Sequence, residues 1–230
     1  MQDLLGKAIY DYALEEEKGP LLIHNTYGEP DEMPVEVYFR ESEDFFDVEQ
    51  KAISLCNGRV LDVGAGAGAH VLELQNMGLE VDALEVSELA SRVMYIREVK
   101  SIITGSIFDM PEAEPYDTLL LMMNTIGLVG TLDKLGSLFQ KLKNLLKPNG
   151  QILFDSSDIS YLYDGDLPGD HYHGEVDYQY EYAGSKGEWF KWLYVDFDNA
   201  RREAEKEGLL LELVYMNEET GQYLARGTHA

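Results

Sequence analysis

One stretch has the residue types and spacing of a ligand-binding turn. It runs Arg59-Val60-Leu61-Asp62-Val63-Gly64-Ala65-Gly66-Ala67-Gly68. An apolar run that breaks into alternating glycines, followed by residues with helical spacing, predicts a strand, a tight turn and a helix. Because glycine tolerates positive φ and has no side chain, Gly64 and Gly66 let the backbone approach a small molecule at the carboxyl edge of a sheet.

Two acids indicate which ligand this turn suits. Asp62 ends the first predicted strand, where a dinucleotide would place its pyrophosphate, so its charge disfavours an anion and favours a cationic ligand. Glu85 ends a second predicted strand (80–85), about 20 residues after the glycines. A side chain at that position commonly accepts hydrogen bonds from ribose hydroxyls.

These two segments resemble the class I S-adenosylmethionine-dependent methyltransferases. The resemblance runs motif by motif from about Arg59 to Asp155 and more loosely to the C-terminus. It implies S-adenosyl-L-methionine as the cofactor, with its methionine end at Asp62 and the glycines and its ribose at Glu85. The segment 105–111 is similar to the adenine-contacting segment of that family, although Ser106 replaces the usual acid. The cofactor contacts predicted in this way are Asp62, Gly64, Ala65, Gly66, Glu85, Val86, Ser106, Ile107, Phe108 and Asn124.

The order of the predicted elements indicates an α/β fold. Strands at 59–63, 80–85, 101–104, 117–122 and 150–154 alternate with helices at about 68–77, 87–97 and 131–146, which favours a parallel sheet with helices on both faces. A helix at about 197–207 and strands at 208–215 and 222–228 follow. The family resemblance then implies a Rossmann-like methyltransferase fold, with a mostly parallel seven-stranded sheet and an antiparallel last strand.

We expect a single domain with four parts. These are an N-terminal helical cap (1–57), the cofactor-binding core (58–155), an acidic, tyrosine-rich insertion (156–196) and a C-terminal helix and β-hairpin (197–230). In the cap, helices are predicted at 1–17 and 33–55, whereas 21–30 is extended but too polar at its centre for a core strand. In the insertion, 175–182 and 189–195 alternate as a β-hairpin.

The sequence leaves the catalytic residue unassigned. Methyl transfer from a sulfonium is an in-line displacement that depends mainly on positioning and on the exclusion of water. Polar residues that could assist are His24, Tyr27, Asn124, Asp155 and His171. The insertion could also cover the acceptor site with Tyr161, Tyr163, His171, Tyr172 and His173, or its aromatic residues could serve packing alone. The histidines are scattered and there is one cysteine, so no metal site is predicted.

Composition limits the partners. The net charge is −25 over 230 residues, which disfavours nucleic acid because such partners need clustered Lys and Arg. No apolar run could span a bilayer, no signal-peptide pattern is present, and the lone cysteine fits a reducing compartment. We therefore expect a cytoplasmic monomer or homodimer without membrane contact.

Three functions remain open from the sequence. The first is methyl transfer from S-adenosylmethionine to a small-molecule acceptor. The second is an NAD(P)-dependent oxidoreductase, because Gly64, Gly66 and Ala69 satisfy a relaxed dinucleotide pattern, although Asp62 and the terminal hairpin argue against it. The third is a non-catalytic protein that binds S-adenosylmethionine.

Overall fold

The computed structural model describes residues 2–112, 115–163 and 165–230. The strands are β1 (Leu21–Asn25), β2 (Asp31–Met33), β3 (Arg59–Val63), β4 (Glu80–Glu85), β5 (Ile102–Thr104), β6 (Tyr116–Leu121), β7 (Leu146–Ser157), β8 (Glu175–Tyr182), β9 (Ser185–Lys186), β10 (Phe190–Leu193), β11 (Leu209–Met216) and β12 (Gln222–His229). The helices are α1 (Leu4–Ala13), α2 (Asp47–Leu55), α3 (Ala69–Asn76), α4 (Glu88–Ile96), α5 (Leu135–Leu145) and α6 (Phe197–Lys206).

The larger sheet has seven strands in the order β11-β12-β7-β6-β3-β4-β5. The pairs from β7 to β5 are parallel, whereas β12 runs antiparallel to both β7 and β11. This confirms the predicted α/β fold with an antiparallel strand near one end. Because parallel strands end at the same edge, the turn after β3, the end of β4 and the end of β6 all meet there.

Helices bury both faces of this sheet. On one face, helix α5 packs against Phe154 of β7 with the fully buried side chains of Leu138, Phe139 and Leu142. These residues are separated by one, three and four positions, so they lie on the same side of the helix. On the other face, α3 packs over β4, and α2 packs over β7 and β12. The two cores hold the sheet rigid, so its carboxyl edge is a stable platform for a site. Among the described residues, no helix is both long enough and apolar enough to cross a membrane.

A second sheet, which we call the roof sheet, has the order β10-β8-β1-β2, with β9 paired to β8. It joins the N-terminal cap to the insertion, because β1 pairs antiparallel with β8. The predicted hairpin is present as β8 and β10, paired from Phe190 opposite Tyr178 to Leu193 opposite Glu175. The segment 21–30, which is too polar at its centre for a predicted core strand, does contain strand β1. The strand forms because β8, more than a hundred residues further along the chain, pairs with it. Helix α2 begins only at residue 47, after short 3₁₀ turns at Val35–Tyr38 and Ser42–Asp44.

Helix α1 joins the roof sheet to the core. Leu4 and Ala8 pack against Leu21 of β1 and Tyr182 of β8 in one buried cluster. The Tyr182 hydroxyl accepts a hydrogen bond from the Lys18 amide at 3.1 Å and donates one to the buried Asp11 carboxylate at 3.3 Å. The phenol therefore ties the helix, the following turn and the roof sheet together.

We expect Tyr182→Phe to lower the free energy of unfolding by about 1 kcal/mol, because a buried acceptor and an amide lose their partner while the ring packing is kept. Urea denaturation would measure the change. Tyr95→Phe is the matched control, since Tyr95 is 78% exposed. Equal effects in both variants would show that the Tyr182 hydroxyl has no anchoring role.

Candidate functional site

A cavity of about 740 Å³ lies between the carboxyl edge of the larger sheet and the inner face of the roof sheet. Its floor contains the turn after β3, the end of β4 and the segment 105–108. Its upper wall comes from β8 and β10, and the first turns of α1 close one side. The cavity is of the size that proteins use for small organic ligands.

The glycine turn forms part of the floor. The amides of Gly64 and Ala65 donate to the carbonyl of Leu84 at 2.8 and 3.1 Å, which fixes the turn against β4. Gly66 has a φ of +55°, and a Cβ there would lie 2.9 Å from the ring of Tyr38. The glycine is therefore required both for its backbone conformation and for the close approach of an aromatic side chain.

Arg97 holds this side of the cavity together. Its guanidinium donates to the carbonyl of Ala67 at 2.7 Å and to that of Tyr38 at 3.3 Å, and it lies 5.1 Å from the centre of the Phe39 ring. The N-terminal segment is thus fixed to the glycine turn by a charged group that does not line the cavity.

Asp62 is the buried charge of the floor. Its carboxylate is only 2% exposed, and Oδ2 has no hydrogen-bond partner among the described residues. Burial, with a smaller contribution from the charge of Glu85, raises its pKa to about 6, although nearby His70 acts in the opposite direction. Since an unpaired buried carboxylate is costly, the floor has an electrostatic preference for a cation.

His70 and Glu49 form a buried pair beside Asp62. His70 Nε2 lies 2.8 Å from Glu49 Oε1, and the same carboxylate accepts from Arg40 at 2.8 Å. Burial alone would lower the pKa of His70, but the hydrogen bond to Glu49 and the charge of Asp62 outweigh it and raise the pKa. The sequence analysis missed both residues, because Glu49 lies on α2 and only the fold brings it to α3.

Glu85 lies across the turn from Asp62. One of its oxygens accepts from the amide of Gly66 and the other from the amide of Ser87, both at 2.9 Å, so the carboxylate orientation is fixed. Burial raises its pKa. Beyond it, Val86 and Phe108 line the cavity although they are 71% and 46% exposed. Exposed apolar side chains at a cavity are typical of a surface that a ligand covers.

Aromatic side chains form the upper wall, which we call the aromatic wall. Its members are Tyr178, Tyr180, Phe190, Trp192 and Tyr194. The Phe190 ring lies 5.2 Å from Tyr180, 6.2 Å from Tyr178 and 6.3 Å from Trp192, measured between ring centres. Period-two alternation places Tyr178 and Tyr180 on one face of β8, so the wall follows directly from strand geometry.

Comparison with known proteins identifies the family. A family model described as a methyltransferase domain matches residues 61–154. The crystal structure of an S-adenosylmethionine-dependent methyltransferase from Bacteroides fragilis, in complex with S-adenosyl-L-homocysteine, is 36% identical. Its alignment covers 99% of this chain and 95% of that one, with a TM-score of 0.90. The chain belongs to the S-adenosylmethionine-dependent methyltransferases.

Two further comparisons are more limited. An uncharacterized methyltransferase from Staphylococcus carnosus is 33% identical over 67 residues, so the match spans 29% of this chain and 32% of that relative. CalS10, an amino pentose methyltransferase from Micromonospora echinaspora, was solved with S-adenosylmethionine bound. It is 17% identical, covers 88% of this chain and all of that one, and has a TM-score of 0.61. At that identity the likeness shows the fold alone.

The floor of this methyltransferase fits the family's cofactor. S-adenosylmethionine carries an ammonium group, a ribose and an adenine. The unpartnered Asp62 oxygen suits the ammonium, and the absence of a Cβ at Gly66 lets the Tyr38 ring pack closely over the turn at one side of the cavity. The cavity is lined by nine of the ten predicted cofactor contacts, which are Asp62, Gly64, Ala65, Gly66, Glu85, Val86, Ser106, Ile107 and Phe108. Their contact with the cofactor itself remains a prediction.

Asn124, the tenth predicted contact, does not line this cavity. Its side chain donates to the carbonyl of Leu193 at 3.1 Å and accepts from Ser156 at 2.7 Å, while its amide donates to Asp155. With φ at +56°, Asn124 turns the chain sharply after β6. The structure therefore gives it an anchoring role between β7 and the end of β10.

The other polar residues considered for catalysis also lie outside the cavity lining. His24 pairs with Glu181 at 2.7 Å, because alternation along β1 turns Ile23 inward and His24 outward. Asp155 accepts from Gln222 as well as from Asn124, and His171 pairs with Asp170 on the surface. Tyr27 does not line the cavity but contacts the aromatic wall through its hydroxyl, which lies 3.0 Å from the hydroxyl of Tyr178.

The candidate covering residues of the insertion do not line the cavity either. Tyr172 donates to Asp196 at the start of α6, Tyr163 donates to the carbonyl of His173, and His173 lies 3.2 Å from Asp158. Tyr161 is 66% exposed. The insertion does border the cavity, but among its described residues the strands of the hairpin do so and the segment before them does not.

We expect Asp62→Asn to weaken S-adenosylhomocysteine binding and, at the same time, to stabilise the ligand-free methyltransferase above pH 6. The raised pKa of Asp62 means that its neutral form favours folding. That contribution is present below pH 3.8 and is lost as the pH rises through about 6. Since the asparagine stays neutral, the free energy of unfolding of the variant should exceed that of the wild type by about 1–3 kcal/mol above pH 6.

Chemical denaturation at several pH values would measure this difference, which should shrink toward pH 4 as wild-type Asp62 becomes protonated. Calorimetric titration with S-adenosylhomocysteine would measure the affinity. A variant that is less stable than the wild type at every pH would contradict the inference that Asp62 is an uncompensated charge.

We expect Asn124→Ala to lower the free energy of unfolding by about 2–4 kcal/mol, because alanine is strained at positive φ and two buried hydrogen bonds are lost. Asn124→Gly is the matched control, since it removes the same hydrogen bonds without the strain and should be the milder change. Both variants should bind S-adenosylhomocysteine as the wild type does. A weaker affinity in the folded Asn124→Gly variant would restore Asn124 as a cofactor contact.

Proposed function

We propose that this methyltransferase transfers a methyl group from S-adenosylmethionine to a small-molecule acceptor inside the cavity. The observation that carries the proposal is the joint lining of one cavity by the cofactor motifs and by the aromatic wall. A floor that suits the cofactor and a wall that leaves room beside it support two ligands in one enclosed space. The roof sheet restricts entry, which favours a small acceptor over a macromolecule.

The chain's own residues have three tasks in this proposal. Asp62 receives the ammonium group, Glu85 receives the ribose, and the aromatic wall keeps water away from the reacting atoms. When bound, S-adenosylmethionine supplies a methyl group already activated by a positive sulfur. An in-line displacement then requires the acceptor to approach from the side of the aromatic wall, because the glycine turn and Asp62 occupy the floor.

Two other functions can be weighed against this one. Membership of the methyltransferase family removes the reason to propose an NAD(P)-dependent oxidoreductase, whose pyrophosphate would also meet the buried charge of Asp62. A non-catalytic protein that binds S-adenosylmethionine would share the floor. It would not need an apolar wall facing a second ligand, and this wall favours catalysis.

Two measurements test the proposal. Calorimetric titration with S-adenosylmethionine, S-adenosylhomocysteine and NADH should give binding of the first two alone. Incubation with methyl-labelled S-adenosylmethionine and a fractionated cell extract should then place the label in the low-molecular-mass fraction. Label in the macromolecular fraction would contradict the small acceptor, and cofactor binding without labelling of any fraction would favour the non-catalytic alternative.

We expect Glu85→Ala to weaken S-adenosylhomocysteine binding by about 1–3 kcal/mol, because the ribose would lose charged hydrogen bonds. Calorimetry would give the dissociation constant, and a thermal melt would check folding. Glu88→Ala is the control, because Glu88 is an exposed acid three residues further on that does not line the cavity. An unchanged dissociation constant in Glu85→Ala would remove the ribose assignment.

A further inference from the structure

The lining of the cavity has a one-sided charge. Its acidic members are Asp3, Asp62, Glu85 and Glu188. None of the lining residues that the structure describes is Lys or Arg. An acceptor with a carboxylate or phosphate would therefore enter a field dominated by four carboxylates, and the histidine among the described lining residues, His70, is already paired with Glu49. This field opposes the binding of an anionic acceptor.

The aromatic wall adds a second preference for positive charge. The faces of aromatic rings attract cations, most strongly for tryptophan and tyrosine. Phe190 lies at the centre of the wall with Tyr178, Tyr180 and Trp192 around it. Glu188, an exposed lining residue, lies two residues before Phe190, so a carboxylate accompanies these ring faces.

Apart from Glu188 and the two acids that we assign to the cofactor, Asp62 and Glu85, the titratable residues of the described lining are poorly suited to deprotonate a hydroxyl acceptor. His70 is engaged by Glu49, and this hydrogen bond raises the pKa of the imidazole against the opposing effect of burial. Burial also raises the pKa of Tyr180 and Tyr194, which keeps both phenols protonated. Asp3 caps α1 through the amide of Gly6 and accepts from the Ser87 hydroxyl. A hydroxyl needs a base to become a strong nucleophile, whereas an uncharged amine already presents its lone pair.

We propose that the methyl acceptor is an amine without an anionic group, which the aromatic wall recognises through Phe190 and Trp192 and which is methylated without a protein base. This inference rests on the proposed function and specifies the class of its acceptor.

The chemical step balances without a further reactant. An acceptor that is an ammonium ion in solution first gives its proton to water, so that it enters the step as the uncharged amine. The lone pair of the amine nitrogen then forms the new N–C bond while the C–S bond breaks and its electron pair stays on sulfur, which yields S-adenosylhomocysteine. The carboxylates and ring faces stabilise the positive charge that develops on nitrogen. The positive charge moves from sulfur to nitrogen, and the methylammonium product gives up its proton to water after release. The cavity holds one positive charge before and after the step, which matches its carboxylates and ring faces.

The test uses probes that mimic the charged product. The protein is loaded with S-adenosylhomocysteine and titrated calorimetrically with choline, a quaternary ammonium, and with neohexyl alcohol, in which a carbon replaces the choline nitrogen. The two probes have nearly the same shape and differ in charge. Choline should bind about tenfold more tightly.

Substitutions at the wall connect this preference to its source. Phe190→Leu keeps an apolar side chain but removes a ring face, so choline affinity should fall about three- to tenfold while that of neohexyl alcohol stays the same. Trp189→Leu is the matched control, because Trp189 is adjacent in sequence and 51% exposed but does not line the cavity. Thermal melts would confirm that both variants fold.

The outcomes separate this inference from the proposed function. Failure of S-adenosylhomocysteine to bind would overturn the proposed function. If it binds but the two probes bind equally, or neither binds, the amine proposal is overturned and the function stands. A choline preference that survives Phe190→Leu and is lost in Trp189→Leu would also overturn it, because the recognition would then lie outside the aromatic wall.

Discussion

The structure depends on one electrostatic constraint, the buried carboxylate of Asp62 with an oxygen that no described residue satisfies. A fold accepts such a charge only if its surroundings compensate part of the cost. Here the compensation comes from the neighbouring His70, which pairs with Glu49, and Arg40 donates to the same carboxylate. The pair and its arginine partner therefore belong to the site, although none of the three residues is a predicted cofactor contact. The remaining cost is relieved when a cation binds, which couples ligand binding to stability.

The roof sheet imposes a second constraint, because it is assembled from distant parts of the chain. Strand β1 comes from the N-terminal cap, whereas β8 and β10 come from the insertion after β7. The link from Asn124 and Ser156 to the backbone at Leu193 and Val195 fixes β10 to the end of β6 and β7. The floor and the wall of the cavity are thus connected by buried hydrogen bonds, so the distance between them is set by the fold.

Local pattern was sufficient to predict the parallel strands of the larger sheet and the acids and glycines of the floor, whereas the antiparallel ending of the sheet came from the family resemblance. The bounds of β3 and β4 agree with the predicted 59–63 and 80–85, because each strand is a short apolar run that ends in an acid and a turn. The same local signals located Asp62, the glycines and Glu85. The residues that sequence reasoning missed, Glu49 and His70, reach the site through a pairing between distant segments, for which a single sequence has no periodic signal. Asn124 was assigned to the ligand because polar residues after a strand often face the site, but its positive φ turns its side chain toward β7 and β10.

The overall acidity and the acidic cavity have different physical consequences. Charges more than about 8 Å apart are largely screened at physiological salt, so most of the net charge of −25 acts on solubility and on the approach of ligands rather than on a molecule inside the cavity. Inside the cavity the dielectric is lower, and a few carboxylates outweigh the rest of the surface. Under the proposal of an amine acceptor, selectivity for a positive ligand therefore depends on the residues in and directly behind the cavity lining. A neutralised surface with an intact cavity would keep the same ligand preference and lose only the attraction at longer range.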